Sequence, residues 1–165
     1  MTPADMLNKT RLIALKILGR LDFVPGILTR LIVGFAFIDS GSGKLANMEN
    51  TTNFFATLGI PFPELNAAFV ARLEYYGGML LLIGLFTRLI GLLLSSTMIV
   101  ALLTADRETF VGALTRSGEA GLSDVAPFVL GAFMAWLVVV GPGALSLDTL
   151  LKRAFFKDDA NKSAT

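Results

Sequence analysis

Four windows of near-continuous apolar residues, separated by polar or glycine- and proline-rich punctuation, dominate the chain. They run roughly Val24 to Asn47, Asn66 to Leu85, Arg88 to Ala105 and Asp124 to Gly141. Each approaches the ~20 mostly apolar residues a transmembrane helix needs, the third at the short end of that range. Pro127 is tolerated in the first turn of the fourth. The second and third windows form a tight helical hairpin, with Gly84 as C-terminal cap and Thr87 starting the next helix. Between the first two, Thr51 to Leu58 predicts a short amphipathic helix burying Phe54, Phe55 and Leu58. Gly59 ends it, and Ile60-Pro61-Phe62-Pro63 forces an extended turn. The loop from Asp106 to Ser123 is polar, with one helical turn near Phe110 to Leu114. After the fourth window Gly141-Pro142-Gly143 breaks the chain, and Ser146 caps a short basic helix through about Lys157.

This pattern predicts an all-α membrane protein, a four-helix transmembrane bundle with both termini cytoplasmic. Three regions follow: a basic amphipathic segment at 1–23, the transmembrane domain at 24–145, and a basic helix and tail at 146–165. Composition agrees: of 165 residues 54% are hydrophobic and 16% charged, with a mean hydropathy of +0.69, where a soluble domain carries about 25% charge. Lys9, Arg11, Lys16 and Arg20 interrupt the first segment, so it does not read as a secretory signal. It reads as a basic amphipathic helix on the membrane surface, or as an ordinary helix packed under the bundle. Orientation follows from the basic residues. Four precede the first window, Lys152, Arg153, Lys157 and Lys162 follow the last, and Arg88 marks the hairpin turn. Met48 to Leu65 has none, and the next loop has Arg107 and Arg116. The positive-inside rule puts both ends and the Arg88 turn in the cytoplasm.

The net charge of +1 gives no reason to expect nucleic acid. Cysteine and histidine are absent, which removes disulfides, thiol chemistry and His-ligated haem, zinc or copper. Met48, Met79, Met98 and Met134 lack close ligand spacing and read as packing, so no metal site is expected. Gly43-Lys44 fails as a phosphate loop, because Ile38 and Leu45 stand where the pattern needs Gly and Ser or Thr. Trp136 reads as an inner-interface anchor. There is no convincing internal repeat, so a transporter built on inverted halves is not supported.

Five charges fall in or near the apolar windows: Arg30, Asp39, Lys44, Arg72 and Glu74. Each costs about 2.5–3.5 kcal/mol at a helix centre, so such residues pair, reach the interface or serve a site. Arg30, at the inner end, is expected to reach the cytoplasmic headgroups. Asp39 and Lys44 lie ~6 and ~13 Å outward of the first helix's middle, and Arg72 and Glu74 ~6 and ~3 Å outward of the second's. Arg30, Gly34, Phe37, Gly41 and Lys44 share one glycine-marked stripe, and Glu74 shares another with Val70, Gly77, Gly78 and Leu81. Lys44 and Glu74 are therefore the expected ion pair. Asp39 and Arg72 do not fit the same straight interface. Either Asp39-Ser40-Gly41-Ser42-Gly43 is broken helix lining a wet cavity, or Arg72 points to the outer interface beside Tyr75 and Tyr76.

Several motifs resemble the DoxX-like family of small integral membrane proteins. They are Arg30-Leu31-Ile32-Val33-Gly34-Phe35-Ala36-Phe37 with Gly41 and Gly43-Lys44-Leu45, and Phe54-Phe55 with Leu58-Gly59-Ile60-Pro61 and Pro63. Glu74 with Gly77-Gly78, then Gly84-Leu85-Phe86-Thr87-Arg88, and the ending Gly141-Pro142-Gly143 with Leu145-Ser146-Leu147-Asp148 continue the likeness from about Leu28 to Leu151. Asp39 departs from the pattern, where an apolar or small residue is expected. The resemblance implies a four-helix bundle in the bacterial inner membrane. It also implies an association with membrane redox systems, including quinone-reducing thiosulfate oxidation, with detoxification genes, or with metal-related peptide maturation.

Two functional expectations follow. In the first, the chain is the membrane subunit of a redox or maturation complex, with a protein partner and no cofactor of its own. In the second, it is a quinone-reactive or small-molecule-binding membrane oxidoreductase. There Asp39, Lys44, Arg72 and Glu74 line an outer-half pocket with Tyr75 or Tyr76 as hydrogen-bond donors, and a quinone is the external redox partner. Under the structural alternative these charges only fix helix register and assembly. A homo-oligomer is compatible with any of these readings.

Overall fold

The structure, a computed structural model, describes residues 23–143, 145–152 and 154. The expected surface helix, which falls before residue 23, and the tail beyond Ala154 thus lie outside the described residues. Within them the chain is all helical, with no strand. Its helices are α1 (Phe23–Ala46), α2 (Met48–Thr57), α3 (Pro63–Ile83), α4 (Thr87–Leu103), α5 (Arg107–Thr115) and α6 (Ala126–Val140). A 3-10 turn at Leu122–Asp124 precedes α6, and a helical stretch at 147–152 follows it.

The four apolar windows become α1, α3, α4 and α6, but their ends shift. α3 begins at Pro63, three residues earlier than expected, because proline's fixed φ and missing N–H suit a first helical turn. α6 begins at Ala126 because Asp124 belongs to the 3-10 turn, its carboxylate accepting from the Gly121 N–H at 2.8 Å. At ~1.5 Å per residue the four helices are about 36, 31, 25 and 22 Å long, beside a hydrocarbon core of ~30 Å. Among the described residues α1 alone is both long and apolar enough to cross a bilayer by itself. α3 has the length but carries Glu64, Arg72 and Glu74. α4 ends at Leu103, where the chain turns by 81° into α5, and α6 has 15 residues.

The long helices pack antiparallel in their two larger contacts. α1 lies chiefly on α3 and α4 on α6, with smaller contacts joining α3 to α4 and α1 to α6. Glycines set the two larger contacts: Gly34 and Gly41 face Gly78 and Tyr75, and Gly91 faces Met134 and Val138. Val33, Phe37, Leu81, Leu94, Met134 and Leu137 form the core, with Ile90 and Met98 beside them. The outside is no less apolar. Ile32, Phe35, Phe69, Tyr76, Leu92, Ile99, Trp136 and Val139, spread over all four long helices, are more than half exposed. α2 is shorter than a span and buries Phe55, whereas Phe54, expected inside, is half exposed.

The turn end corrects the expectation for Arg30 and keeps the one for Thr87. Arg30 does not reach outward: it is 3% exposed, and its Nη2 donates to the Leu145 carbonyl at 2.6 Å. Gly84, at φ +70°, makes this possible, because a Cβ there would strike the Arg30 guanidinium and lie 2.7 Å from Ser146 Cβ. The left-handed cap and the missing side chain serve one purpose. Thr87 begins α4 without capping it by its own side chain; the cap comes from Asp148, which accepts the Phe86 N–H at 2.8 Å and the Thr87 N–H at 3.0 Å. Ser146 caps the closing stretch as expected, accepting the Thr149 N–H at 3.2 Å. Replacing Asp148 with Ala removes an N-terminal carboxylate and is expected to cost about 1–2 kcal/mol. Thermal unfolding in mild detergent checks this, and Asp148→Asn should retain part of the loss.

Candidate functional site

The charged layer lies toward the α2 end. α1 is unbroken from Phe23 to Ala46, so the local unwinding considered for Asp39 to Gly43 does not occur. A regular helix puts Lys44 on the inward stripe with Gly34, Phe37 and Gly41, and Asp39 on the exposed side. On α3 the same geometry buries Glu74 and exposes Arg72.

Lys44 Nζ donates to Glu74 Oε2, the pairing the two glycine stripes predict, and to Ser40 Oγ at 2.6 Å. Glu74 is 2% exposed and Lys44 27%. Among the described residues no hydrogen bond reaches the other Glu74 oxygen. The two residues lie along a cavity of about 560 Å³ bounded by α1, α2, α3, α4 and α6. Phe54, Phe55 and Leu58 of α2 and its following turn cover it, and Phe69, Met98 and Leu130 give it an apolar wall. This size lies within the range of small-molecule sites, ~300–1,000 Å³, in which a few polar groups orient a mostly apolar ligand.

The cavity has a second polar wall. Ser96 and Thr97 of α4, and Thr104 just past its end, line the same cavity. Each hydroxyl donates to its own helix: Ser96 to Leu93 O at 2.6 Å, Thr97 to Leu94 O at 2.8 Å and Thr104 to Val100 O at 2.7 Å. A hydroxyl so committed keeps lone pairs for a ligand's O–H. The signal is in the sequence, as the run Ser95-Ser96-Thr97 inside an otherwise apolar window, but local bonding makes such residues cheap in any helix. The site therefore offers a cation and a carboxylate on one side and hydroxyl acceptors on the other.

The remaining candidates separate from this pair. Arg72 is exposed and its Nη1 donates to Ala68 O within its own helix at 3.2 Å. Asp39 is exposed, and neither it nor Arg72 has an ion-pair partner among the described residues. Tyr75 and Tyr76 stack edge to face with centroids 5.3 Å apart, Tyr76 outward. None of the four lines the cavity.

Comparison with known proteins gives the family context. Residues 26–107 match the sequence profile of the DoxX family. The protein named "Putative oxidoreductase CatD" from Bacillus subtilis (strain 168) is 38% identical over 78 residues, 47% of this chain; the chain spans 57% of that relative's length. "Inner membrane protein YphA" of Escherichia coli (strain K12) is 31% identical over 127 residues, 74% of this chain and 86% of the relative. "Inner membrane protein YqjF" of the same organism is 29% identical over 139 residues, 81% and 97% of the two chains. No solved structure matches.

Proposed function

The chain belongs to the DoxX family of membrane proteins, and from that premise we propose that it is a multi-pass inner-membrane subunit that binds a small, largely apolar redox molecule of the quinone class. In this reading α1, α3, α4 and α6 all cross the lipid, with both ends and the Gly84 turn on the cytoplasmic side and α2 and α5 outside. The apolar outward faces of all four helices support it, since a water-facing bundle does not display Phe, Leu and Ile on every side. The shorter α4 and α6 are extended in polar direction by α5 and by the Gly121 to Val125 segment, which lie in the outer interface. Naming of two relatives as inner membrane proteins and of a third as an oxidoreductase points the same way.

The observation that carries the ligand reading is the Lys44–Glu74 pair on the wall of a cavity of about 560 Å³. A salt bridge that served packing alone would be closed over by side chains. Here Lys44 donates to a ligand carbonyl or anionic oxygen, Glu74 takes and gives protons, and the α4 hydroxyls accept from the reduced, hydroxyl form. Reduction of a quinone consumes two electrons and two protons. With neither Cys nor His in the chain, the electrons come from a protein partner, so the subunit holds the acceptor and does not itself supply the reductant.

Titration of the purified full chain with a short-chain benzoquinone tests this, with saturable one-to-one binding as the expected result; no binding in detergent or in lipid nanodiscs overturns it. Orientation has its own test. Because the chain has no cysteine, Ser117→Cys and Leu147→Cys each create a single thiol. In intact cells a membrane-impermeant maleimide should label the first and spare the second; the reverse pattern inverts the topology.

A further inference from the structure

We infer that Asp39 and Arg72 form the contact between two copies of this chain in the membrane, the acid of each copy pairing with the base of the other. The inference rests on the four-span reading above. Both residues are exposed on faces otherwise built for lipid: Leu28, Ile32 and Phe35 share the Asp39 side of α1, and Leu65, Phe69 and Tyr76 the Arg72 side of α3. Of the five charges in the apolar windows, Lys44 pairs with Glu74 inside the bundle, and Arg30 is buried at the turn end, where its Nη2 donates to the Leu145 carbonyl. Asp39 and Arg72 are the two that remain, and a short Asp side chain cannot reach the headgroups from mid-leaflet as a long Arg does.

The register fixes the occupant. Gly41 of α1 faces Ala71 and Tyr75 of α3, so Asp39 and Arg72 stand within about 5 Å of one another along the bundle axis at ~1.5 Å per residue. A two-fold axis normal to the bilayer keeps every residue at its own depth. Acid and base can then meet across it only if both lie in one layer, as they do here. A surface that carries its own complement is what such an isologous contact requires. Small Ala68 opens a groove on α3 between Leu65, Phe69, Arg72 and Leu73 in which a neighbouring helix can rest. A lipid phosphate would satisfy Arg72 and leave Asp39 repelled, so it answers half of the pattern.

The test uses full chains labelled at Ser117→Cys with donor or acceptor dyes in phosphatidylcholine vesicles. Energy transfer between wild-type copies is expected. Asp39→Arg alone and Arg72→Asp alone should each weaken association by about tenfold or more, because like charges then face each other. Mixing the two variants should restore it, since every contact in the mixed pair joins opposite charges. Wild-type chains that stay monomeric, reversed chains that associate separately as well as wild type, or a mixture that does not recover overturns the proposal. Association that appears only with anionic lipid also overturns it, in favour of a headgroup. Should the reversed chains fail to insert, Asp39→Asn and Arg72→Gln decide: each must weaken association, and no change sinks the idea. Retention of the wild type after carbonate extraction keeps the two readings apart, because a chain that washes off refutes the spans and one that stays but is monomeric refutes only the contact.

Discussion

Gly41→Ala is expected to lower the melting temperature of the detergent-solubilised protein by about 10 °C, while Gly43→Ala, two residues away on the same helix, leaves it unchanged. A Cβ at Gly41 would lie 2.8 Å from Tyr75 Cα and 2.9 Å from Ala71 O, whereas one at Gly43 meets nothing within 4 Å. The atoms in the way at Gly41 are backbone, so no rotamer change relieves the clash and the two helices must separate. Separation opens the most extensive helix contact among the described residues, which puts the cost at the upper end of the ~1–3 kcal/mol typical of overpacking. Gly78→Ala should behave alike, because its Cβ would stand 2.7 Å from Gly34 O and 2.9 Å from Ile38 N. The double variant should cost less than the sum, since one displacement of α3 relieves both sites. Thermal scans of the four variants check this; a Gly41→Ala protein as stable as wild type would show that the contact is loose.

These glycines are legible in the sequence, because a stripe at steps of four and three marks a helix face whatever the tertiary structure. The same periodicity placed Lys44 beside Glu74 and set Arg72 apart. Windows located the helices for a related reason: long apolar runs constrain length and type even where their ends are uncertain. What periodicity misses is contact across the chain. Arg30 shares its stripe with Gly34 and Phe37, and nothing near it in sequence says that the turn at Gly84 and the carbonyl of Leu145 will enclose it. Asp148 as the cap of α4 is a partner some 61 residues away, beyond any local capping rule. Phe54 and Phe55 show the limit within one helix: both are aromatic and both border the cavity, but only Phe55 is buried, and the choice is made by where α3 lies. The α4 hydroxyls acquire meaning only because the cavity opens beside them.

Lys44→Met should destabilise the protein by about 3–5 kcal/mol, whereas Glu74→Gln should cost far less and still weaken ligand binding about tenfold or more. The asymmetry follows from burial. Glu74 is 2% exposed, so removing the ammonium leaves a carboxylate without a counterion in a low-dielectric layer. Removing the carboxylate charge instead leaves Lys44, 27% exposed, in contact with the cavity and still bonded to Ser40 Oγ at 2.6 Å. Its amide replacement keeps the shape and an acceptor oxygen for Nζ. The double variant Lys44→Met with Glu74→Gln should be more stable than Lys44→Met alone, because the uncompensated charge is gone. Two readouts taken together separate a binding site from a structural staple. Unfolding in detergent gives the stability cycle, and titration with the short-chain benzoquinone gives affinity. A Glu74→Gln protein that melts within a few degrees of wild type but binds at least about tenfold more weakly places the carboxylate on the ligand. If Glu74→Gln instead unfolds as readily as Lys44→Met and its folded fraction binds as wild type does, the pair holds helices together and the cavity's chemistry lies with the α4 hydroxyls.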